Sequence, residues 1–264
     1  MRETGFELLV FTVDPERAAA VLAAGAAAIV VDWENQDKYT RQAGADTEIN
    51  HHGVAELCAV RTACAGRVIC RVNGMREGWE REVETALAAG ADEILLPMVG
   101  SRAEVEALCG LLQGRAEASI LLETRAGLAV AGELGELPLR RVYVGLNDLA
   151  IDLGNRNLFT PVANGTLDAC RAQVRAPFGF GGLTVPEGGA PIPCQLLAGE
   201  LSRLRCSFAF LRRSFWRDTA GRELGTEVRR ILAMMEAARG RTAEAVAADR
   251  EAFQRAVESA QWPG

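Results

Sequence analysis

Two stretches of this chain say nearly the same thing: Leu22-Ala-Ala-Gly25-Ala-Ala-Ala-Ile29-Val-Val31 and Leu87-Ala-Ala-Gly90-Ala-Asp-Glu-Ile94-Leu-Leu96. Each reads as the end of a helix, a glycine suited to a left-handed cap, and an apolar run. The run is too short for a helix and unbroken enough for a strand buried on both faces. Strands of that kind belong to parallel sheets covered by helices. Filling in around these joints predicts strands near 7–12, 28–34, 67–73, 93–99, 119–124, 141–148, 181–185 and 207–212. Helix starts fall between them, with Asp14 capping ahead of Pro15 and a capping box in Ser101-Arg-Ala-Glu104. Eight β/α units favour closure into a (β/α)8 TIM barrel, a size that 264 residues suit. No GxGxxG follows the first strand to argue for a dinucleotide fold. The chain is expected to be one barrel domain over residues 1–264. Residues from about 222 to 264 would form extra C-terminal helices, with Val228, Ile231, Leu232 and Met235 along one face of the first. These stripes exceed what one barrel unit needs, so they serve either as a cap or as a homo-oligomer interface.

Charge and cysteines narrow the class. A net charge of −6 with arginines scattered along the chain argues against a nucleic-acid partner. No apolar run is long enough to span a bilayer, so no membrane partner is expected. The apolar stretch near the start is too short for a signal-peptide core and reads as the first strand. The seven cysteines, Cys58, Cys64, Cys70, Cys109, Cys170, Cys194 and Cys206, are odd in number and lack CxxC spacing. They point to small buried hydrophobes in a reducing, cytoplasmic setting. The pair His51-His52 lacks an HxxxH or HExxH pattern and reads as a surface loop.

In such a barrel the chemistry sits at the carboxyl ends of the strands. Strand two ends in Asp32-Trp33-Glu34-Asn35 and strand three in Arg71-Val72-Asn73-Gly74. Strand four ends in Pro97-Met98-Val99, strand five in Glu123-Thr124-Arg125, strand six in Asn147-Asp148 and strand eight in Arg212-Arg213. Carboxylates leaving a buried strand need water, a partner or a cation. Glu123 and Asp148, on neighbouring strands, suggest a shared divalent ion, since such ions are held by one or two carboxylates plus water and substrate oxygens. The set suits enolate stabilisation: a 2-oxo acid chelates the ion, and Arg71 adds a permanently charged planar donor. The single lysine, Lys38, lies in a polar loop, which disfavours an imine mechanism. The Gly- and Pro-rich stretch from Pro177 to Gln195 would shape the pocket mouth. One of Arg212 and Arg213 could reach a distal carboxylate or phosphate, because adjacent strand residues face opposite ways.

The segments GADEILLPMVGSRAEVEAL, ILLETRAG and VYVGLNDLAIDLG resemble the superfamily of metal-dependent class II pyruvate aldolases of the HpcH/HpaI type and citrate lyase β-subunits. The resemblance runs from about Phe6 to Gly154 and thins beyond. It implies a (β/α)8 barrel that binds Mg²⁺, with Mn²⁺ or Co²⁺ as alternatives. It also implies a trimer or hexamer in which a C-terminal helix packs on a neighbouring barrel. By motif it makes Glu123 and Asp148 the metal ligands and Arg71 the contact to the pyruvyl group. The backbone of Pro97, Met98 and Val99 would line the substrate floor. Read from their places at the strand ends alone, Asn147 and Arg212 are further substrate-binding positions. The implied activity is that of a lyase cleaving or forming a pyruvate- or oxaloacetate-derived enolate of a hydroxy-2-oxo acid. One departure matters: aldolase relatives carry Asp-x-Glu-His on strand two, and here the last position is Asn35. An amide cannot transfer a proton, so acid–base work falls to Glu34, Asp32 or metal-bound water, with His51 or His52 next. The alternatives are a citrate-lyase-β-like acyl-thioester lyase and a non-catalytic barrel that binds an oxo acid.

Overall fold

A computed structural model describes residues 5–35 and 52–260. His51 and Lys38 lie outside the described residues. Eight parallel strands close into a barrel in sequence order: β1 (Glu7–Phe11), β2 (Ala28–Asp32), β3 (Arg67–Arg71), β4 (Glu93–Leu96), β5 (Glu117–Leu122), β6 (Leu139–Val144), β7 (Phe178–Phe180) and β8 (Phe208–Phe210). Around them run α1 (Pro15–Ala23), α2 (Val54–Ala63), α3 (Trp79–Ala88), α4 (Arg102–Leu112), α5 (Arg125–Val130), α6 (Leu146–Leu153), α7 (Thr160–Ala163), α8 (Thr166–Gln173), α9 (Cys194–Arg203) and α10 (Ser214–Asp218). The final helices are α11 (Leu224–Arg239) and α12 (Ala243–Ser259). Asp14 caps α1 through the amides of Glu16 and Arg17, and Ser101 and Glu104 cap α4 reciprocally. Gly25 and Gly90, at the two repeated joints, take left-handed φ values of 109° and 95°.

Strand seven is displaced from its expected position. It occupies Phe178–Phe180, ahead of the predicted 181–185. Phe178 and Phe180 point into the helix layer, while Gly179 turns inward where an added Cβ would lie 2.2 Å from the Phe208 carbonyl. A Phe-Gly-Phe strand hides in sequence because glycine reads as a turn. Strand six is likewise shorter than predicted, ending at Val144, so Asp148 sits in the first turn of α6.

Alternation along each strand separates two cores. Outward residues join the main layer against the helices. Inward residues Leu9, Val30, Ile69, Leu95, Leu121, Phe208 and Phe210 form an apolar belt inside the barrel, with Phe11 and Tyr143 packed on it. Below the belt lies a buried ionic plug. Glu93 and Arg141 are almost wholly excluded from solvent, with Arg141 Nε 2.9 Å from Glu93 Oε1 and Nη1 3.0 Å from Glu7 Oε2. Ser119 Oγ donates to Glu93 at 2.5 Å. Breaking a buried pair strands a charge, whereas replacing both members with apolar groups restores packing. Arg141→Ala should therefore cost about 3–5 kcal/mol in denaturant unfolding, and Arg141→Met with Glu93→Leu should recover most of it.

The C-terminal stripes are used within the chain. Val228, Ile231, Met235, Phe253 and Val257 are buried, and Phe253 meets Phe159 edge-on at 6.2 Å. Arg250 of α12 donates to Glu200 at 2.6 Å and to the carbonyls of Val162 and Ala163 at 2.8 Å. The helices are clasped to their own α9 and α7, so the stripes by themselves give no argument for a second copy. All seven cysteines are free, and only Cys58 is exposed. Among the described residues no helix is long and apolar enough to cross a membrane.

Candidate active site

At the carboxyl end of the barrel, strands two and three deliver an arginine held by acids. Arg71 Nε donates to Asp32 Oδ1 at 2.8 Å and Nη2 to Oδ2 at 2.7 Å, a bidentate fork. Its Nη1 lies 3.1 Å from Glu34 Oε2. Burial works against this guanidinium, but Asp32 and Glu34 outweigh it and hold the proton more firmly than usual. Arg71 also sits over the ring of Phe11, 5.3 Å from its centroid. Asp32 and Glu34 are both buried, and the Glu34 amide donates to Asp32 Oδ1 at 3.1 Å.

Asn73 latches the ends of these two strands together. Its Nδ2 donates to the Trp33 carbonyl at 3.1 Å and to Glu82 at 2.7 Å, while its Oδ1 accepts from the Asn35 amide at 3.2 Å. Asn35 is thus fixed by its backbone. Gly53, which precedes α2, meets the same strand end: Trp33 Nε1 donates to its carbonyl at 2.9 Å, next to His52.

The two motifs singled out in the sequence interlock. Glu123 is buried, and its Oε1 accepts from the Met98 amide at 2.8 Å. Met98, which makes this contact, adopts a left-handed φ of 56°, strain that only a surrounding structure can hold. Opposite, Gly145 of GLNDLA leaves the space that Glu123 occupies: a Cβ there would lie 2.3 Å from Oε2. Thr124 caps α5 by accepting from the Gly127 amide, and Gly127 permits contact with the Val99 carbonyl, 2.6 Å from where its Cβ would be. ETRAG therefore supplies a carboxylate, a cap and a close approach. Burial raises the Glu123 carboxyl to about 8, reinforced by the charges of Glu34 and Asp148 and opposed by Arg71.

Asp148 and Asn147 occupy the first turn of α6, half-exposed at the mouth. Pro97 and Val99 are buried beside Met98. Arg212 follows β8 with Nη2 3.3 Å from the Ala190 carbonyl. Tyr143 was not foreseen. Its ring lies 4.1 Å from that of Phe210, and burial raises its phenol well above the ordinary range, with Arg71 opposing and Glu123 reinforcing. A Cβ on Gly181 would lie 2.4 Å from its hydroxyl, so that glycine makes room for the phenol at the base of the mouth.

Among the described residues four carboxylates, Asp32, Glu34, Glu123 and Asp148, thus share this end of the barrel with the buried Arg71. A divalent ion would fit such donors, since hard oxygens suit Mg²⁺ or Mn²⁺. Among the described residues no three of His, Cys, Asp and Glu converge into a cage of their own, so an ion here would rest on few carboxylates and on solvent or substrate oxygens. Gly145→Ala should push Glu123 aside, lowering Mg²⁺ affinity at least about tenfold in calorimetry while the barrel still folds.

A family model described as HpcH/HpaI aldolase/citrate lyase matches residues 8–176. A (3S)-malyl-CoA thioesterase of Cereibacter sphaeroides is 36% identical over 123 residues, 46% of this chain and 41% of that protein. The same enzyme from another strain is 36% identical over 134 residues, 49% of this chain and 45% of that protein. The chain thus spans less than half the length of these curated relatives. Among solved structures, RipC from Yersinia pestis superposes with a TM-score of 0.57 at 16% identity, covering 91% of this chain and 98% of that one. The citrate synthase SbnG gives 0.60 at 16% identity, covering 82% and 91%. At such identities these likenesses speak for the fold alone.

Proposed function

We propose, starting from the fact that the chain belongs to the HpcH/HpaI aldolase/citrate lyase family, that it is a divalent-metal-dependent carbon–carbon lyase. It forms or cleaves a pyruvate- or oxaloacetate-type enolate of a hydroxy-2-oxo acid. One observation carries this reading: a guanidinium clamped by Asp32 sits within the electrostatic reach of a buried Glu123, whose Oε2 lies against Gly145 and whose carboxyl also feels the charge of Asp148. Glu123 and Asp148 would hold the ion, Mg²⁺ foremost with Mn²⁺ or Co²⁺ as substitutes, and the ion would supply Lewis acidity at the substrate carbonyl.

The chain's own residues carry the remaining steps. Asp32 fixes Arg71, whose Nη1 side faces the oxygen on which negative charge gathers as the C–C bond breaks. Glu34 takes the proton from the substrate hydroxyl, since Asn35 cannot. Pro97, Met98 and Val99 form a wall against the substrate, and Asn147 contacts its polar end. Glu34→Gln should slow aldol cleavage about a hundredfold, whereas Asn35→Ala should cost at most about tenfold, in steady-state pyruvate release.

The deciding experiment follows exchange of the pyruvate methyl protons with D2O by NMR. Mg²⁺-dependent exchange, abolished in Glu123→Ala, is expected; no exchange with Mg²⁺, Mn²⁺ or Co²⁺ refutes the reading. A second reading, action on an acyl-thioester, is favoured by the malyl-CoA thioesterases that the chain resembles and by Asn35. Release of free thiol from a malyl thioester, without pyruvate exchange, selects it.

A further inference from the structure

Strand seven brings no side chain to the inside of the barrel. Gly179 turns inward, and Gly181, two residues on and just past the end of β7, repeats that direction. The space that a side chain at 181 would fill is taken from strand six. Tyr143 is in register with Gly179, yet its hydroxyl lies 2.4 Å from where a Cβ on Gly181 would be. The phenol therefore leans about two residues, roughly 6–7 Å, towards the carboxyl end of the barrel. On the other side of β6, Tyr143 is in register with Leu121, so Glu123, two residues further, stands level with the hydroxyl. Arg71 and Glu123 both act on the phenol electrostatically, which places it with the groups of the mouth.

Packing explains the ring but leaves the oxygen unexplained. Tyr143 stacks on Phe210 at 4.1 Å and meets Phe208 at 6.2 Å, contacts that a phenylalanine would make equally well. Among the described residues the hydroxyl has the Gly181 backbone as its hydrogen-bond partner and no acceptor for its own proton. Burial holds that proton in place by raising the phenol well above its ordinary range. Tyr143 is only half-buried, so it remains reachable from the mouth. A donor held inside a barrel without an acceptor is costly unless an incoming group takes the bond.

Strand order says what that group is. In the closed ring β7 stands opposite β3, whose last residue is Arg71, with Glu123 of β5 between them. A small acid with one oxygen at Arg71 presents its other polar end towards β7. We infer that the Tyr143 hydroxyl is a substrate-binding donor, which takes the C1 carboxylate of the 2-oxo acid whose 2-oxygen faces Arg71. The inference deepens the lyase reading and rests on its placement of the oxo-acid head at Arg71. The carboxylate is ionised before and after the C–C bond changes, so the contact is as strong in the ground state as in the transition state. It belongs to binding and KM more than to kcat.

Tyr143→Phe keeps the ring and removes only the oxygen. In calorimetry on the Mg²⁺-loaded protein it should bind pyruvate about tenfold more weakly, the modest loss of one charge-assisted contact. The KM of pyruvate proton exchange should rise by a similar factor, with kcat within about threefold of wild type. Affinity for Mg²⁺ alone and the melting temperature should match the wild type, because the ring contacts remain. Unchanged pyruvate affinity, or a fall in kcat at unchanged KM, overturns the inference and leaves the oxo-acid reading standing. So does a parallel loss of Mg²⁺ affinity and melting temperature, which makes Tyr143 a packing residue. Failure of the wild type to bind pyruvate overturns both.

Discussion

Arg71→Lys should lose at least about a hundredfold of kcat/KM for enolate formation, nearly as much as Arg71→Ala. The reason is in the clamp: Nε and Nη2 occupy both oxygens of Asp32, leaving Nη1 towards Glu34 and, in the proposed reading, the substrate. A lysine ammonium cannot span Asp32 and still present a second nitrogen. Arg71→Ala should be worse for the fold as well, because it removes the bidentate hydrogen bonds to Asp32 and the contact with Glu34, both buried. Pyruvate proton exchange and thermal melts on the same preparations separate the two effects. A lysine variant within a few-fold of wild type would remove Arg71 from the chemistry.

The second large effect concerns pH and metal. Without a cation the Glu123 carboxyl is raised from 4.5 to about 8, by burial first and then by Glu34 and Asp148. Between those values the folded protein keeps a proton that the unfolded chain has released. The stabilisation linked to that proton is therefore full below about 4.5 and is lost as pH climbs through about 8. A metal requires the ionised form, so binding expels the proton. Mg²⁺ affinity should rise by up to about tenfold per pH unit from pH 6 and level off above about 8. The thermal shift produced by Mg²⁺ should grow in parallel, and Glu123→Gln should abolish both the slope and the shift. A metal response that is flat across this range, or one that persists in Glu123→Gln, would exclude Glu123 as a ligand.

Much of this was legible in the residues. The repeated joints at Gly25 and Gly90 declare the αβ rhythm, and continuous apolar strands declare a covered parallel sheet. ETRAG and GLNDLA mark two ends of neighbouring strands. What stayed hidden depends on closure. Glu93 and Arg141 look in sequence like surface charges flanking strands, and become a buried pair only because both face inward in a ring. Tyr143 sits in the apolar run Val142-Tyr143-Val144, where nothing says which side faces the mouth. Met98 gives no hint of its left-handed backbone, a conformation that among the described residues falls otherwise on glycines and on Gln113 and Arg205. The ledge formed by α7 and α9, on which the apolar faces of α11 and α12 pack, could not be anticipated from periodicity.

The ionic plug beneath the apolar belt makes this barrel a cul-de-sac. Arg141, Glu93 and Glu7 seal the far end, and Phe208, Phe210 and Tyr143 seal the middle. Everything that reaches Arg71 must come through the mouth and go back by the same way. On the lyase reading, a substrate split at this depth would leave its inner fragment behind its outer one, so departure would be ordered by position: the piece nearest the opening first, and the piece against Arg71 last.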